Sequence, residues 1–418
     1  MQIYGPLHIC AYLFGVFPAV ADTGRFRVHW PGLALKAFQT VFYWLVSLVV
    51  GVTSIRNLLN YQKLTKKILT TRVLDIDELF VYMMFAGMAA TAACQAHMLW
   101  PSVARAVNEC FFDLCPSHDG VTGVWQFCSA FGILLFVAYE LAMYYFLITY
   151  KFTFASAKLI CLFPPLSNIT CIVIEQFFYL MCISLYLRLR ILHNDIKTLV
   201  HKAEHPRWRC RVAGGGEAGP VAPVGIPAFS VSDIRDLRAV HRACMELFAR
   251  INFLFQLPLS LCMFDCMFRI VVYMYGVAFE VTIVIWEKKK HINYVNTALW
   301  TGYCVVRVVR LWYLHMCEHY VTKKIIPMRL SLSWLSLILN PITSRRLIPE
   351  IILFQHQLDV IKSKFEIFGV LNINMALFYA GFGTTLAYIA LLLQLFAFNQ
   401  ISMATISSSL SNGTSPDN

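Results

Sequence analysis

Seven apolar runs punctuate the chain, separated by polar and charged stretches. A helix rises ~1.5 Å per residue, so crossing roughly 30 Å of hydrocarbon takes about 20 apolar residues, and each run has that reach. The runs are Ala37–Ile55, Leu79–Trp100, Val124–Tyr150, Asn168–Leu187, Ile251–Phe279, Asn293–Cys317 and Ile367–Pro416; the last is without charge throughout, and its first part, 367–398, suits a span. The pattern predicts an all-α polytopic membrane protein with seven transmembrane helices. One further apolar stretch, Leu7–Val20, ends in Ala19-Val20-Ala21 as a signal peptide does. No Lys or Arg precedes it and Pro18 interrupts it, so the expectation is a short cytosolic or interfacial helix.

The polar stretches divide the chain further. Residues 1–36 form an N-terminal segment, and 37–317 hold six spans. Within them His205–Phe229, with Gly214-Gly215-Gly216 and four prolines, reads as a flexible insert. Residues 318–366 follow, and there Arg345–Lys364 reads as an amphipathic helix with Leu347, Ile351, Phe354, Leu358 and Ile361 on one side. Residues 399–418 form a short tail. Placing the N-terminus in the cytoplasm puts about twice as many Lys and Arg on the cytoplasmic side as outside. The C-terminus is then extracellular, although the first outer loop is basic. Two sequons, at Asn168 and Asn412, fall on the outer side in this arrangement and are glycosylation candidates.

Composition strengthens the membrane reading. Of 418 residues 58% are hydrophobic and 14% charged, with mean hydropathy +0.62; a soluble domain carries about 25% charged residues. The net charge of +12 is spread between the apolar runs rather than gathered on one patch. Membrane topology accounts for it without nucleic acid. Of the fourteen cysteines, Cys94, Cys128, Cys171, Cys182, Cys262, Cys266 and Cys304 sit inside apolar runs as small hydrophobes. Cys110 and Cys115 have no histidines at metal spacing, so no metal site is expected. Gly214–Gly216 precedes no strand–helix unit, and no nucleophile or redox constellation stands out. Neither an enzyme nor a cofactor is expected.

Charges inside the runs need partners. Asp265 and Arg269 are four apart on one helix and can pair locally. Arg307 and Arg310 lie near the inner end of the sixth run, where Arg310 can snorkel to the interface. Glu140 and Glu175 have no local partner. Structural ion pairs between helices are the favoured reading; a polar ligand pocket or coupling network is the alternative.

In the last run Ala380, Gly383, Ala387, Ala390, Gln394 and Ala397 are separated by three and four residues in turn, one stripe of small side chains with a single amide. Close helix packing and a pore lined by several copies of the helix both account for it.

The same helix carries a resemblance. Tyr388 and Gln394 stand at the spacing of the terminal motif of the insect gustatory receptor family, Thr-Tyr, five mostly apolar residues, then Gln-Phe; Ala387 and Leu395 replace its Thr and Phe. Upstream, Lys364-Phe365, Gly369, Asn372-Ile373-Asn374 and Thr384-Thr385 resemble the family's approach to that helix, and Phe14-Gly15-Val16-Phe17-Pro18 is similar to its opening. The resemblance implies a ligand-gated cation channel in the plasma membrane of sensory neurons. It implies a homo- or heterotetramer with other receptor subunits, anchored by inner helices, with small-molecule tastants as ligands. Ala387, Tyr388, Leu391, Gln394 and Leu395 would lie at the pore, the last two at its gate. The ligand pocket would lie among the outer halves of the earlier spans. By position that region includes Tyr82, Tyr144, Tyr145, Glu175, Tyr273, Trp300 and Tyr303, although Tyr and Trp also serve as plain interface anchors. Sugar-type members usually carry an acid within the final motif, and Ile389–Leu393 has none. That tilts the expectation toward bitter or deterrent compounds, with a fructose receptor as the alternative. From a different class, a secondary transporter remains the rival. G-protein-coupled receptors have the opposite orientation and an Asp-Arg-Tyr signature that the third run lacks.

Overall fold

A computed structural model of the chain describes residues 19–22, 25–28, 30–64, 163–204, 207–208, 225–226, 229–287, 294–339, 345–360, 365–367, 371–373 and 375–412, with parts of 87–106 and 127–145. Helix dominates. The helices are α1 (Trp30–Leu64), α2 (Phe131–Ala142), α3 (Phe163–Glu204), α4 (Val231–Glu287), α5 (Tyr294–Thr322), α6 (Ile325–Ile338), α7 (Leu347–Val360) and α8 (Met375–Asn412). Three antiparallel hairpins are the strands among the described residues: β1 (Ala19–Asp22) with β2 (Arg25–Val28), β3 (Arg207–Trp208) with β4 (Gly225–Ile226), and β5 (Glu366–Ile367) with β6 (Leu371–Asn372).

The first six apolar runs are helical wherever they are described. Two expectations change. The stretch Leu7–Val20 ends in strand β1 rather than helix, and its earlier residues lie outside the described ones. The seventh run opens as a hairpin, and helix begins only at Met375. Gly369, Asn372 and Asn374 are weak helix formers. Phe365, just before β5, is buried between Phe178 and Phe248, with ring centroids 5.1 and 4.4 Å away. Ile373 N–H donates to Phe365 C=O at 2.8 Å and closes the hairpin. Of the insert 205–229, only the β3–β4 pairing and Phe229 are described.

Two stretches, Asn168–Glu204 and Val231–Ala278, are the ones long and apolar enough to cross a membrane among the described residues. At ~1.5 Å per residue each far exceeds the ~30 Å of hydrocarbon. The excess is the charged part: Arg188 to Lys202 on α3, Arg235 to Arg250 on α4. Ser230 and Asp233 start α4 with reciprocal caps, Ser230 N–H to Asp233 Oδ2 at 2.7 Å and Asp233 N–H to Ser230 Oγ at 3.4 Å.

α3 is buried on nearly every face from Asn168 to Leu185, as a helix apolar all round must be. α4 packs against α3, α5, α7 and α8, and α3 also against α5 and α6. The core therefore runs unbroken from the spans into the charged extensions. There Met328, Leu332 and Leu335 of α6 meet Leu347, Ile351, Phe354 and Leu358 of α7. These α7 residues are the apolar side expected of Arg345–Lys364; Ile361 lies outside the described residues. Glu350 of α7 ties the sub-bundle to α4, accepting from Arg235 at 2.7 Å and pairing with Arg238 at 3.0 Å.

Candidate functional site

Arg269 and Arg307 are the two largest fully buried side chains among the described residues. Such burial is costly unless nearby carboxylates offset the lost hydration. On α4, Arg269 donates from Nε to both oxygens of Asp265 at 2.8 Å, the local pair that their spacing predicts. On α5, Arg307 donates from Nη2 to Tyr303 Oη at 2.6 Å and to Glu140 Oε1 of α2 at 3.3 Å. Its Nη1 lies 3.8 Å from Asp265 Oδ2, which joins the two pairs. Tyr303 Oη donates to Glu140 Oε1 at 2.5 Å, and Asn168 Nδ2 of α3 reaches the same oxygen at 3.0 Å. Four helices thus meet at one carboxylate–guanidinium cluster. The helical segment around residue 87 joins them: a Cβ on Gly87 would collide with the Arg269 guanidinium, so only glycine lets that backbone pass.

A second pair lies about two turns along α5 from Tyr303. Arg310 donates from Nε and Nη2 to the two oxygens of Glu175, at 2.9 and 2.7 Å. The expected snorkelling of Arg310 is not seen, because a bidentate partner holds it inside the bundle. Glu140, Asp265 and Glu175 face Arg269, Arg307 and Arg310, and the whole set is neutral. Sequence alone singled out the acids as unpaired; their partners lie 135 and 167 positions away in the chain.

The ligand residues expected from sequence divide. Tyr273, Trp300 and Tyr303 pack together in one buried cluster, with the Tyr273 and Tyr303 ring centroids 4.5 Å apart. Tyr139 joins them, 6.0 Å from Tyr303, and its hydroxyl donates to Leu299 C=O at 2.7 Å. A Cβ on Gly276 would meet Trp300 at 2.6 Å, so the aromatic packing is close. Glu175 stands apart with Arg310. Tyr145 is exposed on the outer surface of the bundle. Tyr82 and Tyr144 lie outside the described residues. Tyr139 and Asn168 complete this aromatic and polar centre, a placement that sequence reasoning passed over; a tyrosine beside an intramembrane acid was the available signal for Tyr139. Asn168 is a correction. It is buried, and its Nδ2, the atom a glycan would occupy, donates to Glu140 and Tyr303. Asn412 closes α8.

The small-residue stripe of α8 has a defined side. Phe378, Gly381, Thr385 and Ile389 form the inward side, where Gly381 abuts Met267 of α4. Ala380, Gly383, Ala387, Ala390 and Gln394 are exposed, as are Tyr388 and Leu391. Leu395 lies on the same helix, with its side chain outside the described residues. Thr384 and Thr385 donate to the carbonyls of Ala380 and Gly381, so neither hydroxyl needs a partner beyond the helix.

Among the described residues no group of three or more His, Cys, Asp or Glu side chains is arranged to hold a metal ion. Eight of the nine described cysteines are buried free thiols. What the fold presents is a helical membrane bundle with a neutral ionic core and an open face on its last helix.

Comparison with known proteins agrees. The sequence profile of the 7tm chemosensory receptor family matches residues 4–395, nearly the whole length, and the chain belongs to that family. It is therefore a multi-pass membrane protein of a receptor family, not of an enzyme family. Its fold is similar to that of the insect olfactory receptor OR5 from Machilis hrabei, with a TM-score of 0.59 and 11% identity over 93% of this chain and 97% of that one. The structure of the same receptor in complex with eugenol gives a TM-score of 0.57 at 11% identity and the same coverage. No curated protein sequence matches the chain.

Proposed function

We propose that the protein is a subunit of a gustatory-type ligand-gated cation channel, a tetramer in the plasma membrane of sensory neurons. The observation that carries this reading is the exposed, amide-bearing stripe of α8. Apolar side chains on a helix in lipid need no partner, but an amide does. Gln394 is turned away from its own subunit, and symmetry-related copies around an axis would supply its partners and surround a conduit. Ala387, Tyr388, Leu391 and Leu395 line the same passage, with Gln394 and Leu395 at its narrowest point. Leucine keeps that constriction apolar, so it closes by dewetting and opens when the helix shifts.

The ligand is a small organic molecule. Tyr273, Trp300 and Tyr303, with Tyr139 beside them, offer aromatic faces and a few polar groups, the usual makeup of such a pocket. The relative solved with eugenol supports an aromatic small-molecule class. Entry of the ligand loosens the aromatic packing and, through Tyr303, the ionic cluster on α4 and α5, the two helices against which α8 packs. Bitter or deterrent compounds are the favoured tastants, because the final motif has no acid between Ile389 and Leu393.

Gln394→Ala tests the reading. In cells expressing the protein, agonist-evoked current is expected to change in both gating and ion selectivity. If both stay unaltered, Gln394 has no place in the pore. The same recordings separate a channel from a coupled transporter, since only the channel gives unitary openings at fixed agonist.

A further inference from the structure

The Arg310–Glu175 pair belongs to a cleft that the aromatic cluster does not share. Arg310 and Glu175 wall a cavity of about 250 Å³ between α2, α3 and α5, together with Gln176, Tyr179, Val309 and Tyr313. Gly132 forms the opposite wall on α2, and a Cβ built there meets nothing within 4 Å. This glycine leaves space, whereas Gly87 and Gly276 are crowded. Val309 is 53% exposed, and Phe131, Leu134 and Leu135 beside Gly132 are also exposed. The mouth of the cleft is thus apolar and lies on the flank of the bundle, nearer the α6 end of α5.

Among the polar side chains of the lining, Arg310 holds the buried polar atom left without a partner among the described residues. Arg310 is 9% exposed, and its Nε and Nη2 are spent on Glu175. Its Nη1 is buried with no hydrogen-bond partner among the described residues. A guanidinium N–H left unpaired in an apolar setting is costly, and a carbonyl oxygen placed beside it removes that cost. An anion does not suit. Glu175 already balances Arg310, so a carboxylate would bury a second negative charge without a cation. An alkane leaves the N–H unsatisfied.

We propose that this cleft binds an uncharged, mostly apolar molecule with one hydrogen-bond acceptor, of the chemistry of a medium-chain ester, arriving from the hydrocarbon. At the ~30 Å³ that a water takes in the liquid, the cavity has room for roughly eight non-hydrogen atoms. The acceptor end meets Arg310 Nη1, the first carbons pass between Gly132 and Val309, and the remaining chain lies in the mouth.

The test uses the full chain in phosphatidylcholine vesicles, photolabelled with a methyl octanoate analogue that carries a diazirine at the chain end, with the labelled peptides mapped by mass spectrometry. Label from the chain end is expected at the mouth, on the peptides holding Phe131, Leu135 and Val309. Excess methyl octanoate should suppress it at least tenfold, and octane or octanoate at least tenfold less effectively. Gly132→Phe fills the cleft from α2 and Val309→Trp narrows it from α5; each should cut the label at least tenfold. Equal label at exposed positions away from the cleft, such as Phe38, Leu48 and Tyr379, unaffected by competitor, overturns the site. Octane competing as well as the ester overturns the role of Arg310, and octanoate competing better overturns the neutral ligand. Labelling is read without current, so its outcome is separate from whether the protein conducts.

Discussion

Arg307 holds the bundle's polar centre together, because its guanidinium reaches Glu140, Tyr303 and Asp265 from one position on α5. Removing one member of a buried ion pair strands the other, at a cost of about 3–5 kcal/mol. Arg307→Met should therefore lower stability by that amount, seen as a large drop in the melting temperature of the detergent-purified protein. Adding Glu140→Gln removes the stranded charge, so the double variant should melt above Arg307→Met alone. A double variant that loses the sum of both single losses would mean that the 3.3 Å contact carries no coupling. Gly87→Val should be as damaging by a different route, since its Cβ displaces Arg269 from Asp265. At this scale the sequence told half the story. It showed which charges needed partners, because charge in an apolar run is conspicuous. It could not show which helices cross at Glu140, and so Asn168 read as a glycan acceptor although its amide serves the core.

Among the elements, α7 shows how a short amphipathic helix is fixed to the bundle and at what pH it loosens. His241 of α4 is buried against Phe354, with ring centroids 5.7 Å apart. Gln357 Nε2 lies 3.2 Å from Arg238 C=O and 2.8 Å from His241 Nδ1, and donates to both. That bond needs a lone pair on Nδ1, so the ring is neutral. Burial pushes its pKa down to about 4, against ~6.5 in an unfolded chain. As pH falls below about 6.5 the unfolded chain takes up a proton that the folded one refuses, down to about 4. Stability should then fall by up to ~1.4 kcal/mol per pH unit in that window. His241→Asn keeps an acceptor and cannot titrate, so its melting temperature should fall less between pH 7 and pH 4.5. Equal slopes for both proteins would remove His241 as the cause. The α7 face was legible in the sequence because Leu347, Ile351, Phe354 and Leu358 repeat at helical spacing. The start of α8 was not legible. Its hairpin depends on Phe365 docking between Phe178 and Phe248, residues brought there by α3 and α4, and an apolar run read alone gives no sign of such a peg.

For the whole molecule, the decisive surface is the outer face of α6. Ile326, Leu330, Trp334 and Leu337 repeat at four, four and three residues and are all exposed, while Met328, Leu332 and Leu335 on the other side are buried in the core. A helix apolar on both sides has two neighbours to satisfy, and its own chain supplies only one. The second is either the membrane surface or another subunit. Position favours the subunit: α6 follows α5 directly and packs on the charged extension of α3, where Trp334 Nε1 donates to Glu204 Oε1 at 3.0 Å. Those extensions run well beyond the ~30 Å of hydrocarbon, so much of the face lies clear of the leaflet. Leu330→Lys with Leu337→Lys keeps the inner side intact and charges only the outer one. In mild detergent the native chain is expected to run at four times its 47.8 kDa subunit mass, and the double variant at the mass of one subunit with an unchanged helical signal. If the variant stays tetrameric but loses affinity for vesicles, the face belongs to the leaflet, and the subunits are then held together by α8 alone.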